Sequence, residues 1–437
     1  MNQAGEGENS SVIPAFNRSI RIDFQGAKVS SDTGILMLRE IDERFNITAP
    51  LTDRMEDPRR ASHLRHTYVD LIRQRVYQMA AGYEDCNDAN HLRIDPALRL
   101  ALGKDEEYAA SQSMLSRLEN EILGNEEGMV ALDETLQRSI DALLRNKSKR
   151  RLILDMDSTE DPAHGRQEGV AYNGHFGKSC YHPLFCFTSE GDCLGVKLRN
   201  GNVHSAEGAL EVLVPIVKRH RDRFKRFWLR ADAAFGKPEI YEYCEGNRIT
   251  YFIRLKPNNA LTDLIEPHLR RPVGRPPKSG IQTKLIDFYY QAGSWDKPRR
   301  VICKIERHEG ELFPRIGFIV TNSRLSAGKV VKVYNGRAEI ENRIKEGNNA
   351  LRCDKTSCTK FEANEARFKI GVLAYNLLHI LRKFYIRGEG VRRSIEWLIL
   401  RLIKVGARVS YHAKRCLVHV ATAFPLAHHY QEVFDSG

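Results

Sequence analysis

The feature that most constrains the fold is a change of hydrophobic period between Arg151 and Lys256. In "RLILDMD", Leu152, Leu154 and Met156 point one way and Ile153, Asp155 and Asp157 the other, as side chains do on a strand. Two further strand patterns follow at 182–188 ("HPLFCFT") and 193–199 ("CLGVKLR"). An amphipathic helix then runs through "SAEGALEVLVPIVKRHRDRF", with Ser205 placed to cap it. A strand ("RFWLRAD"), a helix ("KPEIYEYCEGN") and a strand ("ITYFIRLK") complete the run. Three strands at hairpin spacing, followed by alternating helices and strands, predict a mixed sheet with helices on its faces.

That order is the order of a ribonuclease-H-like core that still lacks its closing helix. After the core's first part (151–256) comes a Pro- and Arg-rich linker, "PHLRRPVGRPPKSG", and strand patterns at 284–291, 300–307 and 315–321. We read 257–328 as a β-rich insertion and 329–360 as the delayed closing helix. Residues 1–18 are polar and read as a disordered tail. Residues 19–150 read as a helical region, to which only the family resemblance set out below adds a DNA-binding role: Tyr68, Leu71, Ile72, Val76 and Met79 recur at helical intervals, as do Leu115, Leu118 and Ile122. Residues 361–437 read as a helical C-terminal region. The expected class is therefore α/β, a ribonuclease-H-like mixed-sheet catalytic core with a β-rich insertion, flanked by helical N- and C-terminal regions.

A chain of 437 residues, 42% hydrophobic and 28% charged, is long and apolar enough for several packed units and excludes wholesale disorder. Its formal charge of +12 favours a polyanionic partner, nucleic acid before membrane surface. No apolar run approaches the ~18–20 residues that span a bilayer. The start lacks a basic and apolar secretory leader, so a soluble cytoplasmic protein is expected. The nine cysteines are scattered and form no paired C-x-x-C knuckles, which points to reduced structural thiols.

The chemistry-bearing candidates are carboxylates. Asp157 ends the first strand pattern and Asp232 the fourth, and in a ribonuclease-H-like sheet these two strands are neighbours. Asp155 shares a face with Asp157 but lies deeper, so Asp157 is preferred. The closing segment "YNGRAEIENRIKEGNNAL" carries Glu339, Glu341 and Glu346. Advancing about 100° per residue from Tyr334, the side chains of Tyr334, Arg337, Glu341, Lys345 and Asn348 share a sector of roughly 80°, with Glu339 and Glu346 on the far side. Bare carboxylates brought together repel, and divalent cations neutralise them. Two Mg²⁺ ions about 3.5–4 Å apart clamp the attacking and leaving oxygens of a phosphodiester.

On "DMDST", "HFGKSCYHPL", "GNVHSAEGA", "LRADAAF", "YQAGSW", "VTN" and "YNGRAEIENRIKEG", the chain resembles the DDE transposases of bacterial insertion sequences. They belong to the insertion-sequence-four superfamily, and the likeness is greatest to its insertion-sequence-1380 branch. The superfamily's last signature is Y-x2-R-x3-E-x6-K. Tyr334, Arg337 and Glu341 fit it, whereas Asn348 stands at the lysine position and Lys345 lies three residues earlier on the same face. The resemblance implies cleavage at terminal inverted repeats and strand transfer into target DNA. It implies Asp157, Asp232 and Glu341 as ligands of two Mg²⁺ ions, with Mn²⁺ able to substitute, and Tyr334 and Arg337 as contacts to DNA phosphate. Double-stranded DNA, a homodimer or larger synaptic complex, and a bacterial, nucleoid-associated setting are implied with it. Three weaker DNA-contact candidates are Arg275, in a Gly-Arg-Pro linker like a minor-groove hook, Trp295, like an insertion aromatic that holds a flipped base, and His204. Each has a plain alternative: basic linker, core packing and local cap. A transposase-derived DNA-binding protein without cleavage, and a nuclease of the same fold, are the competing functions.

Overall fold

The computed structural model of the protein describes residues 13–22, 28–53, 55, 57–59, 64–104, 108–145, 150–163, 165–270, 280–412 and 415–435. The N-terminal part contributes helices α1 (Ile35–Phe45), α2 (Tyr68–Ala80) and α3 (Glu126–Leu144). Thr67 and Asp70 close a reciprocal capping box at the start of α2, which satisfies amide groups that the first helical turn leaves without partners.

The core sheet follows. Its strands are β1 (Leu152–Ser158), β2 (Leu184–Thr188), β3 (Cys193–Lys197), β4 (Phe227–Ala231) and β5 (Ile249–Leu255). Helix α4 (Ala209–His220) joins β3 to β4, and α5 (Pro238–Gly246) joins β4 to β5. In space the order is β3-β2-β1-β4-β5, with β2 antiparallel to its neighbours and β1, β4 and β5 parallel. This is the ribonuclease-H-like arrangement.

Strands β6 (Ile281–Tyr290), β7 (Arg299–His308) and β8 (Arg315–Thr321) come from the insertion. They do not fold as a separate module. β8 pairs antiparallel with β5, and β7 and β6 continue outward, so one eight-stranded sheet results.

Helix α6 (Ala327–Asn335), a tight turn at Gly336–Ala338 and helix α7 (Glu339–Leu351) return the chain to the core. The long helix α8 (Phe361–Glu389) then packs against α2 and α3. Phe185 and Phe187 of β2, Ile340 and Ile344 of α7, Phe368 of α8 and Leu71 of α2 share one apolar cluster. The opposite sheet face, with Leu154, Met156 and Leu184, packs on Val212, Leu213 and Ile216 of α4. The N-terminal helices therefore complete one face of the catalytic sheet.

Two details depart from the sequence reading. Helix α4 starts at Ala209, not at Ser205: Gly208, at φ 70°, precedes it, and Arg199 holds the turn by donating to the carbonyls of His204, Ser205 and Glu207. The C-terminal region is not all helical. Ala407–His412 and Arg415–Val420 form a hairpin that also takes in Val29–Ser30. All nine cysteines are free. Among the described residues no helix is long and apolar enough to cross a membrane.

The edge of the sheet at β3 is closed by a side chain. Buried Asn376 of α8 accepts from the Cys193 amide at 3.3 Å and donates to its carbonyl at 3.1 Å and to Ser139 at 3.0 Å. Asn376→Leu is expected to cost about 1–3 kcal/mol for each buried polar group left unmet, read as a lower urea midpoint with an unchanged m-value.

Candidate active site

The register of β1 against β4 sets Asp155 opposite Arg230 and Met156 opposite Ala231. Asp157 and Asp232 come next on each chain, at adjoining strand ends on the open end of the sheet. Asp155 is consumed internally: Arg230 donates to it through Nε at 2.5 Å and Nη2 at 2.6 Å, and both groups are buried. The remaining guanidinium nitrogen, Nη1, donates to the Val333 carbonyl of α6 at 2.9 Å. A side chain at Gly336 would overlap that nitrogen. The expected single helix from Tyr334 to Leu351 is interrupted at Gly336–Ala338 by a tighter turn whose backbone stays in the right-handed helical region, with Arg230 against Gly336.

The turn delivers Arg337 into the acidic end of the sheet. Its Nη2 donates to Asp157 Oδ2 at 2.7 Å, and its Nη1 to Glu341 Oε1 at 3.4 Å. Asp157 is almost fully buried, and its other oxygen accepts from the Ser158 amide at 3.0 Å. Burial pushes the Asp157 carboxyl up to about 6, the Asp232 and Glu341 carboxylates push the same way, and Arg337 and the Ser158 amide oppose them. Burial works against the charge on Arg337, but Asp157, Asp232 and Glu341, with Tyr334, outweigh it and hold the guanidinium above its ordinary value. Asp232 caps the turn Ala233–Phe235, accepting from the Ala234 amide at 3.0 Å.

The three glutamates of α7 separate by environment. Glu341 lies beside Arg337 with its side chain 55% exposed. Glu339 pairs with Arg343 at 3.2 Å. Glu346 faces the protein, accepting from Arg382 at 2.7 Å and from the Ile395 amide at 2.8 Å, with 13% of its side chain exposed.

Of the other sequence candidates, Tyr334 is half-buried beside Arg337 and Arg254. Lys345 is exposed and Asn348 half-buried, further along α7. His204 is exposed, and its Nδ1 accepts from the Ala206 amide at 3.2 Å, a local cap. Trp295 departs from the flipped-base expectation. It is 6% exposed, edge-on to Tyr241 and Tyr290, with Arg299 over its ring, because the insertion continues the core sheet and buries it. Arg275 lies outside the described residues.

Sequence reading passed over His182. It is buried, with Nδ1 3.1 Å from the Val203 carbonyl and Nε2 3.1 Å from Ser158 Oγ. The carbonyl can only accept, so the proton sits on Nδ1 and the Ser158 hydroxyl donates to Nε2. This fixes the residue directly after Asp157. The "HPL" that holds it lies in "HFGKSCYHPL", one of the stretches that carry the family resemblance, and reads only as the start of a strand.

Fold and site together define a class: a ribonuclease-H-like sheet whose open end gathers Asp157, Asp232 and Glu341 around one guanidinium. The family model described as transposase DDE domain group 1 matches residues 12–436, and the chain belongs to that family. It is thus a member of the DNA-cleaving and DNA-transferring transposases. No curated protein matches the sequence. Among solved structures, the chain is similar to a piggyBac transposase in a synaptic complex with hairpin DNA. The two share 11% identity over 85% of this chain and 79% of that one, with a TM-score of 0.46.

Two predictions follow from the site's supports. Gly336→Ala displaces Arg230 and through it Arg337; DNA cleavage should fall roughly 10²-fold, as for a misplacement on the order of 1 Å, with the thermal midpoint also lowered. Burial first, then Arg199, holds His182 below the ordinary histidine range. The unfolded chain therefore binds a proton that the folded one refuses, and stability present above about pH 6.5 is lost as pH falls toward the lowered value. His182→Gln should flatten that acid loss, measured by urea unfolding between about pH 7 and 5.

Proposed function

We propose that the chain is an active transposase that cuts DNA at the terminal inverted repeats of an insertion sequence and joins the freed 3′ ends to target DNA. This is the activity of the insertion-sequence-1380 branch that its motifs resemble. The observation that carries the reading is the Arg337 guanidinium bridging Asp157 and Glu341, with Asp232 near enough to shift both Asp157 and Arg337. Acids from three distant segments converge on a single cation position at the open end of the sheet.

The donor set is carboxylate oxygen throughout, with Glu341 open to solvent and Asp157 against the sheet. Such a set fits hard divalent cations, two Mg²⁺ with Mn²⁺ as a substitute, and Asp157, Asp232 and Glu341 would hold them. When bound, the ions supply charge neutralisation at the attacked phosphodiester and at its entering and leaving oxygens. The chain's own groups do the rest. Arg337 stands where its guanidinium can pass from the carboxylates to a phosphate beside the scissile bond, a bidentate match. Tyr334 borders a cavity of about 310 Å³ lined also by Arg254, by Lys304 paired with Glu306, and by Arg315 paired with Glu311; we assign Arg254 and Tyr334 to the DNA strand that would enter it. Burial raises the Tyr334 hydroxyl, which keeps it a neutral donor and not a nucleophile. Lys345 and Asn348 extend the same row along α7. In-line transfer needs no covalent protein intermediate. The N-terminal helices, with the C-terminal region, are the parts we assign to reading the ends, in a homodimer or larger synaptic complex.

Cleavage of DNA bearing the element's ends, with Mg²⁺, tests this. Wild type should cut and join. Asp157→Asn and Glu341→Gln should each lower the rate by roughly 10²-fold or more. Glu339→Gln, which removes only the contact of an exposed carboxylate to Arg343 within one helix, should leave the rate nearly unchanged. If wild type and Asp157→Asn are equally inert while both bind the repeats, the chain is a DNA-binding derivative of a transposase. If it cuts without regard to the repeats and joins nothing, it is a nuclease of the same fold.

A further inference from the structure

The far end of α8 gathers four side chains that take no part in DNA cleavage. Glu389 is the last residue of α8, and Gly390, at φ 67°, ends the helix behind it. Helix α9 (Ala427–Asp435) lies across this end and brings His428, His429 and Glu432 to it. The Glu389 Oε1 atom lies 2.8 Å from His428 Nε2 and 3.3 Å from His429 Nε2. The ligand atoms of these three residues all lie within 4.8 Å of one another.

The His429 ring gives the arrangement its meaning. It is 2% exposed and packs against Tyr385, centroid to centroid 4.4 Å. Its Nδ1 is 3.3 Å from Glu432 Oε2, an acceptor, so the ring proton belongs there. With the proton there, the buried Nε2 faces the Glu389 carboxylate oxygen at 3.3 Å, a contact that becomes an ion pair when the ring carries a second proton on Nε2. Two electron-rich atoms so placed are bridged either by a second ring proton or by a metal ion. Glu432 itself sits over Gly388, where an added Cβ would come within 2.5 Å of its Oε1, so the backbone is shaped to admit that carboxylate.

We propose that Glu389, His428 and His429 form a binding site for a divalent transition-metal ion of the zinc class, which fastens α9 to the end of α8. Ligands at about 2.0–2.2 Å from zinc in tetrahedral geometry stand roughly 3.3–3.6 Å apart; the Glu389–His429 pair, at 3.3 Å, already has that spacing, and the hydrogen-bonded Glu389–His428 pair, at 2.8 Å, must open to reach it. Two imidazoles and one carboxylate suit zinc and not magnesium. The fourth position faces solvent, because His428 and Glu389 are exposed. Glu432 supplies the carboxylate behind a ligating imidazole that sets its tautomer and orientation.

The test uses the full-length chain without a polyhistidine tag, carrying Asp157→Asn, Asp232→Asn and Glu341→Gln so that the carboxylates at the other end bind nothing. Cobalt(II) is the probe. One equivalent should bind with visible d–d bands and no thiolate charge-transfer band, zinc should displace it, and zinc should raise the thermal midpoint. His428→Asn and Glu389→Gln, both at exposed positions, should abolish the bands. Glu432→Gln should weaken cobalt binding by about 10–100-fold. No bands in the parent chain would overturn the proposal and leave a hydrogen-bonded Glu-His cluster. Bands that survive both His428→Asn and Glu389→Gln would overturn it equally, as would a thiolate signature.

Discussion

The catalytic end of the sheet depends on the buried pair between Asp155 and Arg230. Taking both ions out of water costs several kcal/mol per ion, which a bidentate contact repays only when the remaining donors are also satisfied. Here the last guanidinium nitrogen finds the Val333 carbonyl. What the pair fixes is position. It locks β1 against β4 in the register that leaves Asp157 and Asp232 side by side. It also occupies the space beside Gly336, so the chain turns there and carries Arg337 inward. Remove either ion and the other is stranded in the core, with the turn and two strand ends released together.

Above that pair the acids form a gradient of exposure: Asp155 enclosed, Asp157 nearly so, Glu341 open. One guanidinium serves the upper three, so the site keeps a surplus of negative charge inside a chain of formal charge +12. The two signs do different work. The basic body raises the local concentration of a polyanion over long range. The acidic end, at short range, repels bare phosphate and selects cations. A DNA strand drawn to the surface can sit at this end only when positive charge intervenes, from a divalent ion or from Arg337, and both act on the same few ångströms.

Much of this was legible along the chain because it is periodic. The alternation in "RLILDMD" placed β1 and the side on which its acids lie, and the helical wheel separated Glu341 from Glu339 and Glu346. What escaped depends on residues far apart in sequence. The tightened turn at Gly336 lies against Arg230, from another strand, and along the sequence the segment reads as one continuous helix. The phosphate contact assigned to Arg337 comes from the family signature, and nothing along the chain shows that its carboxylate partner lies on β1. For Trp295 a base contact and core packing both stay open along the sequence, since nothing in "YQAGSW" says that β8 will pair with β5 and bury it. The hairpin at 407–420 did carry a signal, Ala407 and Val409 alternating with polar residues, but the strong helical pattern before it masked the change. His428 and His429 become a cluster only when the end of α8 meets α9.

Helix α8 connects these parts mechanically. Asn376 grips the sheet edge at Cys193, Arg382 holds the back of α7 through Glu346, and Glu389 reaches α9. Arg382 and Glu389 are two helical turns apart, about 10 Å, on an element that packs along most of its length. A helix so embedded moves as a unit. Fastening α9 to its end therefore bears on the placement of α7, and with it Glu341 and Arg337, without touching them. The donor atoms keep the two ends chemically distinct. Carboxylates alone suit hard ions that exchange readily with water, and imidazoles suit ions that stay.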